Sequence, residues 1–326
     1  MDMESKSTLA KKTPGRLYDA FFMNEYGRIE SLRAARYNNH FSIVLVDAAD
    51  SLSAISAEFL EKAAKALIAS TRNSDIVGRD DRHFVVILPE TDYLGSLNAA
   101  RKISKSLSVV FNKDIPGPSF MITSATFPMD GKGYGEMIGA ASNRAVRKKG
   151  SIWQKQGFEE KLFWEIVSDL SSGSFNNFEN SCFDAGEGYE IPGDFIDSVN
   201  ELIIRDLTRA PQKKGVLYLS EGKTSRSTAF IGNLNAAARL ATKTFIISDR
   251  HENLGNVKNF TPLLLDDQRL KETSLTLYLS EETGYALICK ENWGEIHSCF
   301  HSSDPCLVEG LISKFQAEYS LQEQLG

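Results

Sequence analysis

Cysteine is scarce in this chain of 326 residues, with only Cys182, Cys289, Cys299 and Cys306. Four thiols, three of them close together, are too few for the covalent framework of a small secreted domain, so the thiols are expected to be reduced. Long apolar runs are missing too. The strongest, Ile43–Val46 and Phe84–Leu88, have strand length, well short of the ~18–20 residues of a membrane span. The opening MDMESKSTLAKK has no apolar signal core. Together these absences place the chain in the cytoplasm as the expectation. Excess positive charge is also lacking: 37 Lys+Arg stand against 43 Asp+Glu, net −6, which argues against nucleic acid as partner. Trp153, Trp164 and Trp293 are too far apart in sequence to form a base-stacking platform.

What is present is ordinary globular composition, 42% hydrophobic and 25% charged. The length accommodates about two domains. The charge is unevenly shared: residues 1–150 carry 21 basic and 17 acidic side chains, and residues 151–326 carry 16 and 26. Two surfaces of opposite sign fit two domains.

Residues 1–13 read as a polar tail. Spacing predicts a helix over Arg16–Tyr37 with Leu17, Phe21, Phe22, Tyr26, Ile29 and Leu32 on its packed face. Phe41–Asp47 and Phe84–Leu88 read as buried strands, Phe120–Thr126 as a third. Glu58–Ala69, Tyr93–Leu107 and Glu136–Lys149 read as helices, the last stopped by Gly150. This is an α/β (α+β) sandwich, assigned to residues 14–155. A helix over Phe158–Leu170 and a Ser/Asn/Gly-rich stretch form a connecting segment, 156–190. A smaller α/β domain, 191–326, follows. It is expected to hold a helix Phe195–Leu207, a strand Val216–Ser220, a helix Ser227–Thr242 and a strand Thr244–Ser248. A hairpin Leu275–Leu279/Tyr285–Lys290, a strand Glu295–His301 and a last helix capped by Asp304-Pro305 complete it.

Three ordered blocks, FSIVLVDAAD, RNSDIVGRDDRHFVVILPETD and ITSATFPMDGKGYGEMIGAASNRAVRKKG, make the first half resemble a GGDEF domain, the diguanylate cyclase family, over about Arg36–Gly150. The family's frame is R-x-x-D, a G-G-D/E-E-F hairpin, then V-x-L-P-x-T. Arg72, Asp75, Phe84, Leu88, Pro89 and Thr91 match it, and Lys149 and Gly150 stand where the family has a phosphate-contacting lysine and a glycine. The resemblance implies a nucleotidyl-cyclase-like sandwich.

It also shows what has been replaced. The signature hairpin reads Asp80-Asp81-Arg82-His83-Phe84 and is one residue short. The family's glycines let the backbone approach phosphates; Asp80 and Asp81 add side chains and negative charge there. The family's acidic pair binds Mg²⁺, a hard cation needing carboxylate oxygen. Arg82 and His83 stand in those places, and a guanidinium has no lone pair to offer. Asp47 alone is retained. The guanine-binding D-x-F-K-x-x-N-D and H-x-x-G-D segments are replaced by DAADSLSAISAEFLEKAAKAL. No catalytic residues and no cofactor are therefore expected.

Other residues retain binding chemistry. Arg72 and Asp75 match the family's inhibitory R-x-x-D site for cyclic di-GMP: arginine can grip a phosphate or guanine edge bidentately, and aspartate can accept guanine N–H groups. The alternative is that Asp75 closes a helix–strand connection and Arg72 is a solvated helix-end charge. Arg79 and Lys102 could assist with phosphate, as could Lys149. His297, Cys299, His301 and Cys306 form a weak metal candidate, because alternate strand residues sit ~6.5–7 Å apart, wide for one tetrahedral ion. Gly222-Lys223-Thr224-Ser225 lacks the spacing of a phosphate loop. In strand and helix order the second half is faintly similar to GAF/PAS-like and DICT sensor domains. The expectation is a catalytically inactive GGDEF-type regulatory protein acting through protein partners, with a homodimer as one candidate assembly. The alternatives are a cyclic di-GMP receptor using Arg72 and Asp75, and a residual cyclase.

Overall fold

The computed structural model describes residues 17–48, 56–80, 83–111, 120–171, 189–220, 232–234, 236–248, 258–291 and 296–321. The chain divides into two compact units, with the boundary between Lys149 and Gly150.

The first unit is a five-stranded sheet between two helical layers. Its elements are β1 (Leu17–Tyr18), α1 (Ala20–Tyr37), β2 (Phe41–Ala48), α2 (Ala57–Ser70), β3 (Ile76–Arg79), β4 (His83–Pro89), α3 (Tyr93–Val110), β5 (Phe120–Phe127) and α4 (Tyr134–Gly150). The strand order is β1-β3-β4-β2-β5, with β1 parallel to β3 and the other pairs antiparallel. Successive strand side chains point to opposite faces. Phe41, Ile43 and Leu45 therefore enter the core shared with Met23, Ala34, Met137 and Ala141 of α1 and α4. Val44 and Val46 enter the other, with Ala63 and Leu67 of α2 and Ile103 and Leu107 of α3. Both faces of β2 are covered, hence its unbroken apolar run.

Helix α1 departs from its expected packing. Asp19 accepts the Phe22 N–H at 2.8 Å as N-cap, so the helix starts at Ala20 and Leu17–Tyr18 join the sheet. Its buried side is Met23, Gly27, Glu30, Ser31 and Ala34, whereas Phe21, Ile29 and Leu32 of the apolar stripe are 78%, 53% and 62% exposed. Small residues win that side because neighbours come close. A Cβ on Gly27 would overlap the Tyr134 ring, and one on Gly78 of β3 would overlap Met23.

β5 is an edge strand, and α4 closes its open side. Arg144 donates to the Ser124 carbonyl at 2.6 Å and Lys148 to the Ile122 carbonyl at 3.3 Å, while Asp130 accepts the Thr126 N–H at 2.7 Å. The Arg144 guanidinium also grips Asp130 with both terminal nitrogens. Cationic side chains on edge carbonyls block pairing with a foreign strand.

The second unit comprises α5 (Ile152–Lys155), a 3₁₀ turn (Phe158–Glu160), α6 (Phe163–Ser171), β6 (Tyr189–Pro192), α7 (Gly193–Arg209), β7 (Gly215–Ser220), β8 (Thr242–Ser248), β9 (Thr261–Leu264), α8 (Gln268–Glu272), β10 (Thr273–Ser280), β11 (Gly284–Glu291), β12 (Ile296–Ser302) and α9 (Pro305–Glu318). The seven strands run β6-β12-β11-β10-β7-β8-β9, with β7, β8 and β9 parallel and the remaining pairs antiparallel. Ile204 and Leu207 of α7 pack with Leu217, Leu219, Ile246 and Tyr278. Phe315 of α9 lies against Tyr218 and Phe163, ring centroids 5.1 and 5.3 Å apart.

This unit, expected to be the smaller, holds the larger sheet, and α5 and α6 belong to it. The single helix expected over 158–170 is broken into a 3₁₀ turn and α6, with Lys161 extended between them. The helix expected to reach Thr242 does not, since Thr242 opens β8. Gly150 is the last residue of α4 and not a C′ stop. The expected linker's Ser/Asn/Gly-rich stretch, 172–188, lies outside the described residues.

A polar clasp joins α6, α8 and α9. Asp267, the N-cap of α8, accepts from Arg269 Nε at 3.0 Å, Nη2 at 2.7 Å and the backbone N–H at 2.9 Å, and from the Tyr319 hydroxyl at 2.8 Å. The Trp164 indole donates to Tyr319 at 2.9 Å, and Arg269 lies 4.8 Å over the Trp164 ring. The Arg269 guanidinium, helped by Tyr319, holds the Asp267 carboxyl at about 2.

Two outcomes are expected. Arg144→Ala leaves the half-buried Asp130 without its cation and should cost about 2 kcal/mol, read as a lower urea midpoint. Asp267 has a folded pKa below its unfolded value, so its contribution is complete at neutral pH and lost as pH falls from about 4 toward 2. Urea titrations across that range should show Asp267→Asn less stable than the parent at neutral pH. The gap should close under acid; a constant gap would contradict the assignment.

Candidate functional site

The connection between β3 and β4, together with Lys149 at the end of α4, defines the candidate site. Asp47 lies near the end of β2, directly opposite His83 of β4 on one side and Met121 of β5 on the other. Its Oδ2 is 3.7 Å from Lys149 Nζ, so this carboxylate is met by an ammonium. Lys149 is in place because α4 carries Arg147, Lys148 and Lys149 in its last turn, where a helix favours cations.

Asp80 folds back on its own hairpin. It accepts the His83 N–H at 2.6 Å through Oδ1, Oδ2 lies 3.4 Å from His83 Nδ1, and the Asp80 N–H donates to the His83 carbonyl at 3.0 Å. A three-residue connection between Arg79 and His83, which aligns Arg79 with Phe84, is closed by these bonds. Phe84 is fully buried in the α2/α3 core and is a packing residue. Asp81 and Arg82 lie outside the described residues. Burial, with Asp80 nearby, pushes the Tyr134 phenol upward, so Tyr134 stays neutral beneath this region.

Among the described residues, no group of three acidic or imidazole side chains gathers here to hold Mg²⁺. Of the carboxylates described, Asp47 pairs with an ammonium and Asp80 is turned to an amide and an imidazole. Mg²⁺ takes one or two carboxylates together with waters and substrate phosphates, so it would have to compete with these partners for Asp47 and Asp80.

Arg72 and Asp75 are brought together, but by the backbone. Asp75 Oδ2 accepts the Arg72 N–H at 2.7 Å, the Asp75 N–H donates to the Arg72 carbonyl at 3.1 Å, and Ser74 Oγ is 3.4 Å from Asp75 Oδ1. The carboxylate closes the turn from α2 into β3. Partial burial raises its pKa, against the lowering effect of the Arg72 amide. Arg72 and Lys102 are exposed, and Arg79 is half-buried.

The second unit corrects the cysteine expectation. Cys289 and Cys299 form a disulfide, because β11 and β12 place them as direct cross-strand partners with Cα atoms 4.1 Å apart. Cys299 is thereby removed as a thiolate ligand. Cys306 keeps its thiol at the start of α9 and donates its backbone N–H to Asp304. The His301 ring lies loosely against Tyr285 at 6.2 Å, and burial lowers its pKa. The His297 side chain and the 222–225 segment lie outside the described residues. Among the described residues no group of three His, Cys, Asp or Glu side chains is placed to hold a metal. No described helix is long and apolar enough to cross a membrane.

The sequence did not reveal the Asp47–Lys149 pair or the Asp130–Arg144 clasp. Their only trace is the basic run ending α4, which helix electrostatics alone also explains.

No family model matches the chain, and no curated relative matches it. Solved structures similar to part of it are GGDEF domains. One is the GGDEF domain of TpbB, also called YfiN, from Pseudomonas aeruginosa: 17% identity, 44% of this chain and 96% of that one, TM-score 0.36. Another is a diguanylate cyclase protein from Thermotoga maritima, with 21% identity, 39% and 95% coverage, and TM-score 0.34. A third is the active GGEEF domain of a diguanylate cyclase from Vibrio cholerae: 15% identity, 41% and 91% coverage, TM-score 0.37.

Proposed function

We propose that the first unit, ending at Lys149, is a GGDEF-type domain without cyclase chemistry and that the chain is a regulatory protein acting through protein partners. The observation that carries this is the state of the retained acid: Asp47 faces His83 across the strand pair and is paired to Lys149 at 3.7 Å. Arg82 and His83 supply no carboxylate beside it. A metal-assisted attack by a sugar hydroxyl needs a cation between attacking and leaving oxygens, and these residues offer none a seat. The glycine pair that admits a triphosphate is replaced by Asp80 and Asp81, whose charge opposes it. The sandwich, with both faces of β2 buried, is kept as a rigid scaffold, and a scaffold without its reaction serves by contact. Residues 191–326 are then the sensing or docking module of the same protein.

A cyclic di-GMP receptor is the second reading, favoured by the exposure of Arg72 beside Asp75. The engagement of Asp75 with the Arg72 amide gives that carboxylate a structural task instead.

Purified full chain incubated with GTP and Mg²⁺ should yield no pppGpG or cyclic di-GMP by chromatography; either product overturns the proposal. Calorimetry with cyclic di-GMP should give no saturable heat. Binding that Arg72→Ala abolishes would instead establish the receptor.

A further inference from the structure

The outward face of α1 carries large apolar side chains among its polar ones, such as Asn24, Glu25, Arg28 and Arg33, where a helix on a sandwich is normally polar. Tyr18, Phe21, Phe22, Ile29 and Leu32 are all at least 36% exposed, in a band running along most of the helix. A face of this kind holds on the order of 500 Å² per copy, comparable with the largest patches of ordinary monomers, and such patches mark contact sites.

The charges on this face identify the occupant. Phe21, Glu25, Arg28 and Leu32 are spaced by four, three and four residues, which forms one straight seam of the kind helices bury against each other. All four are exposed. When two copies of α1 are laid antiparallel about a two-fold axis level with the peptide between Tyr26 and Gly27, Phe21 meets the partner's Leu32 and Glu25 meets the partner's Arg28. Each contact then occurs twice, as an isologous interface demands. Parallel packing would set Glu25 against Glu25 and Arg28 against Arg28. Ile29 and Phe22 border the seam and widen it. Glu25 and Arg28, 3.1 Å apart within one helix and both about half exposed, can exchange partners across the axis without either charge being stranded.

We propose that this face of α1 is an antiparallel homodimer interface, with Phe21–Leu32 and Glu25–Arg28 as its two repeated contacts. The pair would bury about 1,000 Å², the lower end of specific interfaces, so the dimer is expected to be reversible. This interface does not depend on the loss of cyclase chemistry, since none of its residues belongs to the candidate site.

Sedimentation equilibrium of the full chain should show a concentration-dependent monomer–dimer exchange. Glu25→Arg, which brings a second guanidinium against the partner's Arg28 at both contacts, should weaken the dimer about tenfold or more. Adding Arg28→Glu should restore it. Leu32→Lys should leave the chain monomeric with unchanged circular dichroism. In a Cys182→Ser/Cys306→Ser background, a mixture of Phe21→Cys and Leu32→Cys chains should oxidise to a cross-linked heterodimer faster than either alone. A monomeric parent chain means that this face is covered by something other than a second copy and overturns the proposal. So does a dimer indifferent to Glu25→Arg.

Discussion

Strand β2 has no solvent-facing side. Phe41, Ile43 and Leu45 fill one core, Val44 and Val46 the other, and β4 and β5 take its backbone groups on both edges. A strand enclosed in this way cannot slip by one residue without moving every side chain into the wrong layer. The register therefore fixes Asp47 near its end against His83, and the chemistry open to Asp47 depends on which side chains the neighbouring elements deliver there. They deliver an imidazole-bearing residue and an ammonium.

Acids that close turns and clasps recur in both units. Asp75 closes a turn, Asp80 closes a hairpin, Asp130 anchors Arg144 over the open edge of β5, and Asp267 holds the clasp of the second unit. Each accepts from a backbone amide as well as from, or near, a side chain. Such bonds to ionised acceptors rank among the stronger ones in a fold.

α1 is the clearest case of periodicity pointing the wrong way. Phe21, Ile29 and Leu32 repeat at helical spacing and read as a packed stripe, but Gly27, Ser31 and Ala34 occupy the buried side. The Tyr134 ring lies against the Gly27 backbone, too close for a side chain there, so the small face must turn inward and the large one outward. The cysteines are a second case. Their sequence separation of 10 carries no sign of pairing; the hairpin register of β11 and β12 supplies it.

Much was nevertheless legible in one dimension. The buried runs of β2 and β4, the helices α2, α3, α7 and α9 and the Asp304-Pro305 cap all follow from residue type and order. Local geometry and binary pattern depend on neighbours in sequence. Short strands such as β1, β6 and β9 did not show, because two to four residues carry too little period and are held by their partners. The pairing of Asp47 with Lys149, the outward turn of α1's apolar face and the Cys289–Cys299 bond were decided by tertiary structure. Each joins groups whose encounter depends on sheet order, helix approach or strand register, quantities that only the folded chain possesses.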